Sequence, residues 1–112
     1  MDKQTKILCV CNKGNVRSAA TKYCLNRRGY YDVLTVGSEI VSNVTFTMLC
    51  MWADIILLAK PSHGARVQTE YSYKINSQFT IGEDHWGNPV NLELEEIINE
   101  QLDKIGFTYA GK

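Results

Sequence analysis

A chain of 112 residues with 45% hydrophobic and 21% charged side chains suits one compact domain over residues 1–112, and excludes a disordered, fibrous or two-domain organisation. Its formal net charge of zero excludes bulk nucleic-acid binding, and no run reaches the roughly 18 to 20 apolar residues that a membrane span needs. The opening Met1-Asp2-Lys3-Gln4 has no apolar signal core behind it, so a cytoplasmic location with no membrane partner is expected, with Cys9, Cys11, Cys24 and Cys50 as free thiols and no zinc spacing among them.

A short apolar run over residues 6–10 ends at the polar cluster Asn12-Lys13-Gly14-Asn15, the pattern of a buried strand leaving a sheet. Residues 18–28 place Ala20, Tyr23, Cys24 and Arg27 on one face and stop at Gly29, which predicts a helix opened by Ser18. Residues 32–37 give a second strand. Residues 42–53 space Val44, Met48, Leu49 and Trp52 for a helical face. Asp54-Ile55-Ile56-Leu57-Leu58-Ala59, halted by Lys60-Pro61, is the best central-strand candidate. A weak helix is expected over 62–70, beginning around His63, and a fourth strand over 74–81. The closing helix, between Asn91 and Gly106, carries Leu94, Ile97, Ile98, Leu102 and Ile105 on one stripe. This alternation predicts an α/β fold: a three-layer α/β/α arrangement around a four-stranded parallel sheet of order 2-1-3-4. Ligands of such sheets sit beyond the carboxyl ends of the strands.

Two loops lie at those ends. The first, Cys11-Asn12-Lys13-Gly14-Asn15-Val16-Arg17-Ser18, puts a thiol at the end of a strand and a guanidinium six residues later at the mouth of a helix. A loop of this length can curl so that successive amides point inward as a nest for a tetrahedral oxyanion, with the helix N-terminus adding its positive end. Gly14 supplies the backbone freedom for the curl. The same field favours Cys11 as a thiolate, the attacking form. Arg17 can grip two oxygens of a phosphate, and Ser18 can hydrogen-bond the sulfur and ease its departure. The second loop runs from Gly82 to Asn91. Asp84 within it is the candidate general acid, with Glu83 as the rival, and Trp86 and His85 are placed to flank an aromatic leaving group. Charge is polarised to match: residues 1–30 hold seven Lys or Arg and one acid, and residues 83–103 hold seven acids and no Lys or Arg.

Cys9 and the helical Cys24 and Cys50 read as core thiols. Tyr71 and Tyr73 have no assigned role.

The segment from Ile7-Leu8-Cys9-Val10-Cys11 to Arg17-Ser18 resembles the low-molecular-weight protein tyrosine phosphatases, whose signature is an N-terminal strand followed by CxxxxxRS and a helix. Trp52-Ala53-Asp54-Ile55-Ile56-Leu57 is similar to that family's third strand, and Gly82-Glu83-Asp84-His85-Trp86 to its general-acid loop. Gly14 and Asn15 come one position later than in the family, and His85 stands where the family has Pro. The resemblance implies hydrolysis of phosphate monoesters, above all protein phosphotyrosine, through a phosphocysteine on Cys11. Arg17 and Asp84 would complete the catalytic set. Asn12, Lys13, Gly14, Asn15, Val16, Ser18 and Trp86 would bind the substrate, a phosphorylated protein or small phosphate monoester, without metal or cofactor. Three other readings of the same loop stay open: a thiol-dependent arsenate reductase, which needs relay cysteines; a cysteine phosphocarrier, in which Arg17 is unexpected; and a non-catalytic phosphate-binding module.

Overall fold

The computed structural model describes residues 2–83 and 85–109. Strand β1, Ile7–Cys11, is buried at every position. It lies between β2, Val33–Gly37, and β3, Ile55–Leu58, with all pairs parallel and the order β2-β1-β3. Ile7 stands opposite both Val33 and Ile55. Because strand side chains alternate between faces, β1 feeds two cores. Ile7 and Cys9 pack with Ala20, Cys24 and Leu25 of helix α1, Arg17–Arg27, and with Leu94, Ile98 and Leu102 of helix α3, Leu92–Lys104. Leu8 and Val10 pack on the other face with Phe46 and Cys50 of helix α2, Asn43–Trp52. Each such fully buried aliphatic side chain contributes roughly 1.5–3 kcal/mol. The fold is therefore α/β, with helices flanking a parallel sheet of three strands. Among the described residues no helix is long and apolar enough to cross a membrane.

Three expectations need correction. The fourth strand over 74–81 does not form, and only an isolated parallel bridge joins Ile56 to Ile75. The cause is local: the Asn76 side chain accepts from the Gln78 amide at 3.0 Å, and the Asn76 carbonyl accepts from Phe79. This turn competes with a ladder and turns the chain away after one bridge. A cavity of about 340 Å³, lined by Leu58, Pro61, Gly64, Ile75, Asn76, Ser77 and Phe79, lies where a strand would have continued. The expected helix over 62–70 is instead two 3-10 segments, Pro61–Arg66 and Thr69–Lys74.

The third correction concerns α2. Its buried residues are Phe46 and Cys50, whereas Val44 and Met48, expected to face the core, are 71% and 62% exposed.

Helix α3 is held to α1 by a buried cation. The Arg28 guanidinium donates to Asp103 Oδ1 at 2.8 Å, to the Phe107 carbonyl, and to Asn99 Oδ1 at 3.0 Å. A buried charge needs this many partners. Its effect is to register the C-terminal helix against the helix whose first turn carries Arg17.

Candidate functional site

The carboxyl end of β1 delivers Cys11, and the turn of residues 12–16 returns the chain to α1. Two glycines make that turn possible. Gly14 has φ +78°, and a Cβ there would meet the Gly37 amide and the Val36 carbonyl carbon at 2.9 Å. A Cβ on Gly37 would meet Lys13 backbone atoms at 2.4 to 2.7 Å. The loop thus lies flush against the end of β2. Amides of Ser38 and Glu39 hold it there by donating to the carbonyls of Cys11 (2.8 Å) and Asn12 (2.9 Å). The position of Gly14, one later than in the resembled family, is the one at which the chain crosses Gly37.

The sulfur is the focus of the turn. Cys11 Sγ lies 3.0 Å from the Ser18 hydroxyl and accepts from the Gly14 amide at 3.1 Å. Burial pushes this thiol up, but the Ser18 hydroxyl and the amides of Ser18, Gly14 and Val16 outweigh it, so the net shift is downward. Ser18 was expected to cap the helix; Val16 occupies the cap position and provides no side-chain bond. That leaves the Ser18 hydroxyl for the sulfur, which also takes the Ser18 amide of the first helical turn. The other thiols behave differently. Burial raises Cys24 to about 11, and it raises Cys9 and Cys50 as well.

A depressed folded-state pKa means that the thiolate stabilises the fold above the ordinary thiol value, and that this contribution is lost as pH falls through the folded value. Alkylation by iodoacetamide should accordingly modify Cys11 ahead of the other three cysteines, with a pH–rate midpoint below that of free cysteine. Mass mapping of the labelled site checks it, and labelling led by Cys24, or a midpoint at or above free cysteine, contradicts it.

Arg17 is fully buried at 0% exposure. Its Nη1 donates to the Gly82 carbonyl at 2.6 Å, while Nε and Nη2 have no partner among the described residues. Those two nitrogens share one edge of the guanidinium and form the fork that accepts two oxygens of a single oxyanion. Gly82 and Ile81 are themselves anchored by donating to the Ala59 carbonyl, and Glu83 is held by Lys60 at 3.0 Å through both carboxylate oxygens. The Lys60 ammonium keeps the Glu83 carboxyl below its usual range. An exposed carboxylate of this kind is a poor proton donor near neutrality. Asp84, the other expected acid, lies outside the described residues.

The sequence reading places His63 at the start of a helix and favours no functional role for it. It is buried at 5% exposure, its Nε2 is 2.6 Å from Asn12 Oδ1, and its Nδ1 accepts from the Lys60 amide at 3.3 Å. This pattern assigns the proton to Nε2 and fixes the first residue of the loop. Burial first, then the charges of Arg17 and Lys60, hold the imidazole below its ordinary range against the opposing pull of Glu39 and Glu83. For a base with a depressed folded value, stability is lost as pH falls through the unfolded value. His63→Ala should cost about 1–3 kcal/mol at about pH 8, by leaving Asn12 and the Lys60 amide unmet, and less at about pH 5, where protonation of the imidazole in the unfolded chain has already taken away part of the wild type's advantage. Urea denaturation at both values measures this, and an equal cost at the two would contradict it.

The structure brings Cys11, Gly14, Val16 and Ser18 together around one sulfur and ties Asn12 to His63. Lys13 and Asn15 are exposed. Trp86 packs against the α1/α3 core and is in ring contact with His85 at 4.2 Å; its Nε1 is buried without a partner among the described residues. No family model, curated protein or solved structure matches the chain.

Proposed function

We propose that this protein hydrolyses phosphate monoesters through a phosphocysteine on Cys11, as the low-molecular-weight protein tyrosine phosphatases that it resembles do. The observation that carries this reading is the buried Arg17 fork, whose Nε and Nη2 meet no group of the protein among the described residues, on the same short loop as a cysteine shifted toward its thiolate. A buried cation with two idle donors calls for an anion.

In the proposed reaction the Cys11 thiolate attacks phosphorus in line while Arg17 holds two of its oxygens through Nε and Nη2, and the loop amides hold the transferring group. The P–O bond to the leaving group breaks, and Asp84 protonates the departing oxygen. Water, deprotonated by the same carboxylate, then attacks phosphorus. The sulfur leaves as a thiolate, stabilised by Ser18 and the amides that lower its pKa. Cys11 is 2% exposed, so the phosphoryl group must reach the floor of the loop. An aryl phosphate such as phosphotyrosine extends further than a phosphoserine and fits that depth better.

Asp84 is assigned as the acid because Glu83, its rival, is held as a carboxylate by Lys60, and because Gly82, two residues before Asp84, is anchored to Arg17. An arsenate reductase relay has no comparable support, since burial raises the thiols of Cys9, Cys24 and Cys50.

The experiment is hydrolysis of para-nitrophenyl phosphate and of an alkyl phosphate by the purified protein. Asp84→Ala should slow turnover by about 10²–10⁴-fold, more for the alkyl ester with its poorer leaving group, whereas Glu83→Gln should stay within about threefold of wild type. A larger loss from Glu83→Gln would move the acid to that residue. Phosphate bound without turnover would replace hydrolysis by simple binding.

A further inference from the structure

Helix α2 is apolar on both sides. Across Asn43–Trp52 there is no Asp, Glu, Lys, Arg or His. Phe46 and Cys50 fill the core, yet Val44, Met48 and Met51 point outward at 71%, 62% and 57% exposure. Only Asn43, Thr45 and Thr47 of the helix are polar, so it turns no charged face to solvent as an ordinary surface helix does. Ile40, 69% exposed, precedes the helix. Tyr73, 79% exposed, lies at its other end, where the neighbouring Lys74 ammonium donates to the carbonyls of Cys50 and Met51 at 2.9 and 3.1 Å. Beside the stripe runs an open groove of about 330 Å³ lined by Asn43, Val44, Thr47, Met48 and Gln68.

We infer that this face is a homodimer interface, occupied by α2 of a second copy of the chain packed across a two-fold axis. Three features favour a second copy over another partner. A two-fold contact brings each surface against its own duplicate, so unspent charge on the patch would repel itself; α2 carries none, and the cations at its ends, Arg66 and Lys74, donate to the carbonyls of Ser38 and Val41 and of Cys50 and Met51. The surface holds both a groove and flexible methionine knobs, which makes it complementary to itself. Antiparallel crossing also places each helix N-terminus by the partner's C-terminus, the favourable arrangement of the two dipoles.

The area is adequate. Ile40, Val44, Met48, Met51 and Tyr73 together expose on the order of 500 Å², more than scattered surface residues would and comparable to the largest patch of a typical monomer. With the polar rim of Asn43, Thr45, Thr47 and Gln68 the contact approaches the roughly 800 Å² per partner of a standard stable interface.

Sedimentation velocity tests the inference from about 1 µM to about 500 µM, the range in which an interface of this size changes state. The wild type should pass from one mass to twice that mass. Met48→Lys and Val44→Lys, both at exposed positions, should stay monomeric with unchanged far-UV circular dichroism. Leu92→Lys, at an 80% exposed site on α3, should dimerise as the wild type does. A wild type that stays monomeric throughout overturns the inference. So does a dimer that survives both α2 substitutions, or one lost in Leu92→Lys. Because α2 is separate from the sulfur and its amides, this outcome is independent of whether Cys11 turns over phosphate esters.

Discussion

Cys11→Ser is expected to lower the turnover of an aryl phosphate by at least about 10⁴-fold while leaving phosphate binding within a few-fold of wild type. The asymmetry follows from what each part of the loop does. The amides of Ser18, Gly14 and Val16 and the Ser18 hydroxyl favour an anion on sulfur. A thiol starts within a few pKa units of neutrality and these bonds suffice; an alcohol starts many units higher and stays protonated. The oxyanion grip is separate, because Arg17 Nε and Nη2 do not depend on the atom at position 11. Steady-state kinetics, with inorganic phosphate as competitive inhibitor, give both quantities. Acid-quenched wild type should also carry a labile phosphate mapped to Cys11. A Ser variant retaining more than about one-tenth of wild-type turnover would place the nucleophile elsewhere.

Gly37→Ala is expected to have the largest effect on stability, about 3 kcal/mol or more, and to remove activity with it. The new Cβ would stand 2.4 Å from the Lys13 carbonyl carbon and 2.5 Å from its Cα. Both are backbone, so no rotamer change relieves the contact. The loop must lift from β2, and the bonds from Ser38 and Glu39 to the carbonyls of Cys11 and Asn12 go with it. Gly14→Ala should act in the same direction through its 2.9 Å contacts and its φ of +78°. Gly87→Ala, at φ +68° with nothing within 4 Å of the added carbon, is the control: it bears left-handed strain alone, about 1 kcal/mol. Urea denaturation and turnover are the measurements. A Gly37→Ala protein as stable and as active as the Gly87 variant would show that the loop does not depend on this crossing.

How much of this was legible depended on whether the deciding contacts were local. The first strand, the turn and α1 were readable because Cys11, Gly14, Arg17 and Ser18 fall within eight residues, and the order of elements up to β3 followed from short-range patterning. Helix α2 was placed to within a residue at each end, but its apolar residues surround it, so periodicity could not choose between the stripe with Val44 and Met48 and the one with Phe46 and Cys50. The sheet chose. The absent fourth strand had a visible cause in Asn76-Ser77, a turn signal inside an otherwise strand-like run. His63 and Gly37 were harder. Each acts on the loop from another element, across 51 residues from His63 to Asn12 and through a backbone crossing between Gly37 and Lys13. The only sequence hints were a histidine two residues after Pro61 and a glycine closing the second strand.

The idle edge of Arg17 has a thermodynamic consequence. Among the described residues this guanidinium, taken out of water, is met on one nitrogen alone; that burdens the native state, and any tetrahedral oxyanion that fills the fork lifts the burden without touching the unfolded chain. Folding and anion occupancy are then linked equilibria, worth about 2.7 kcal/mol when the ligand stands at a hundred times its dissociation constant. The buffer salt becomes part of this protein's stability, and a melting temperature recorded in phosphate describes a different equilibrium from one recorded in a bulky organic buffer.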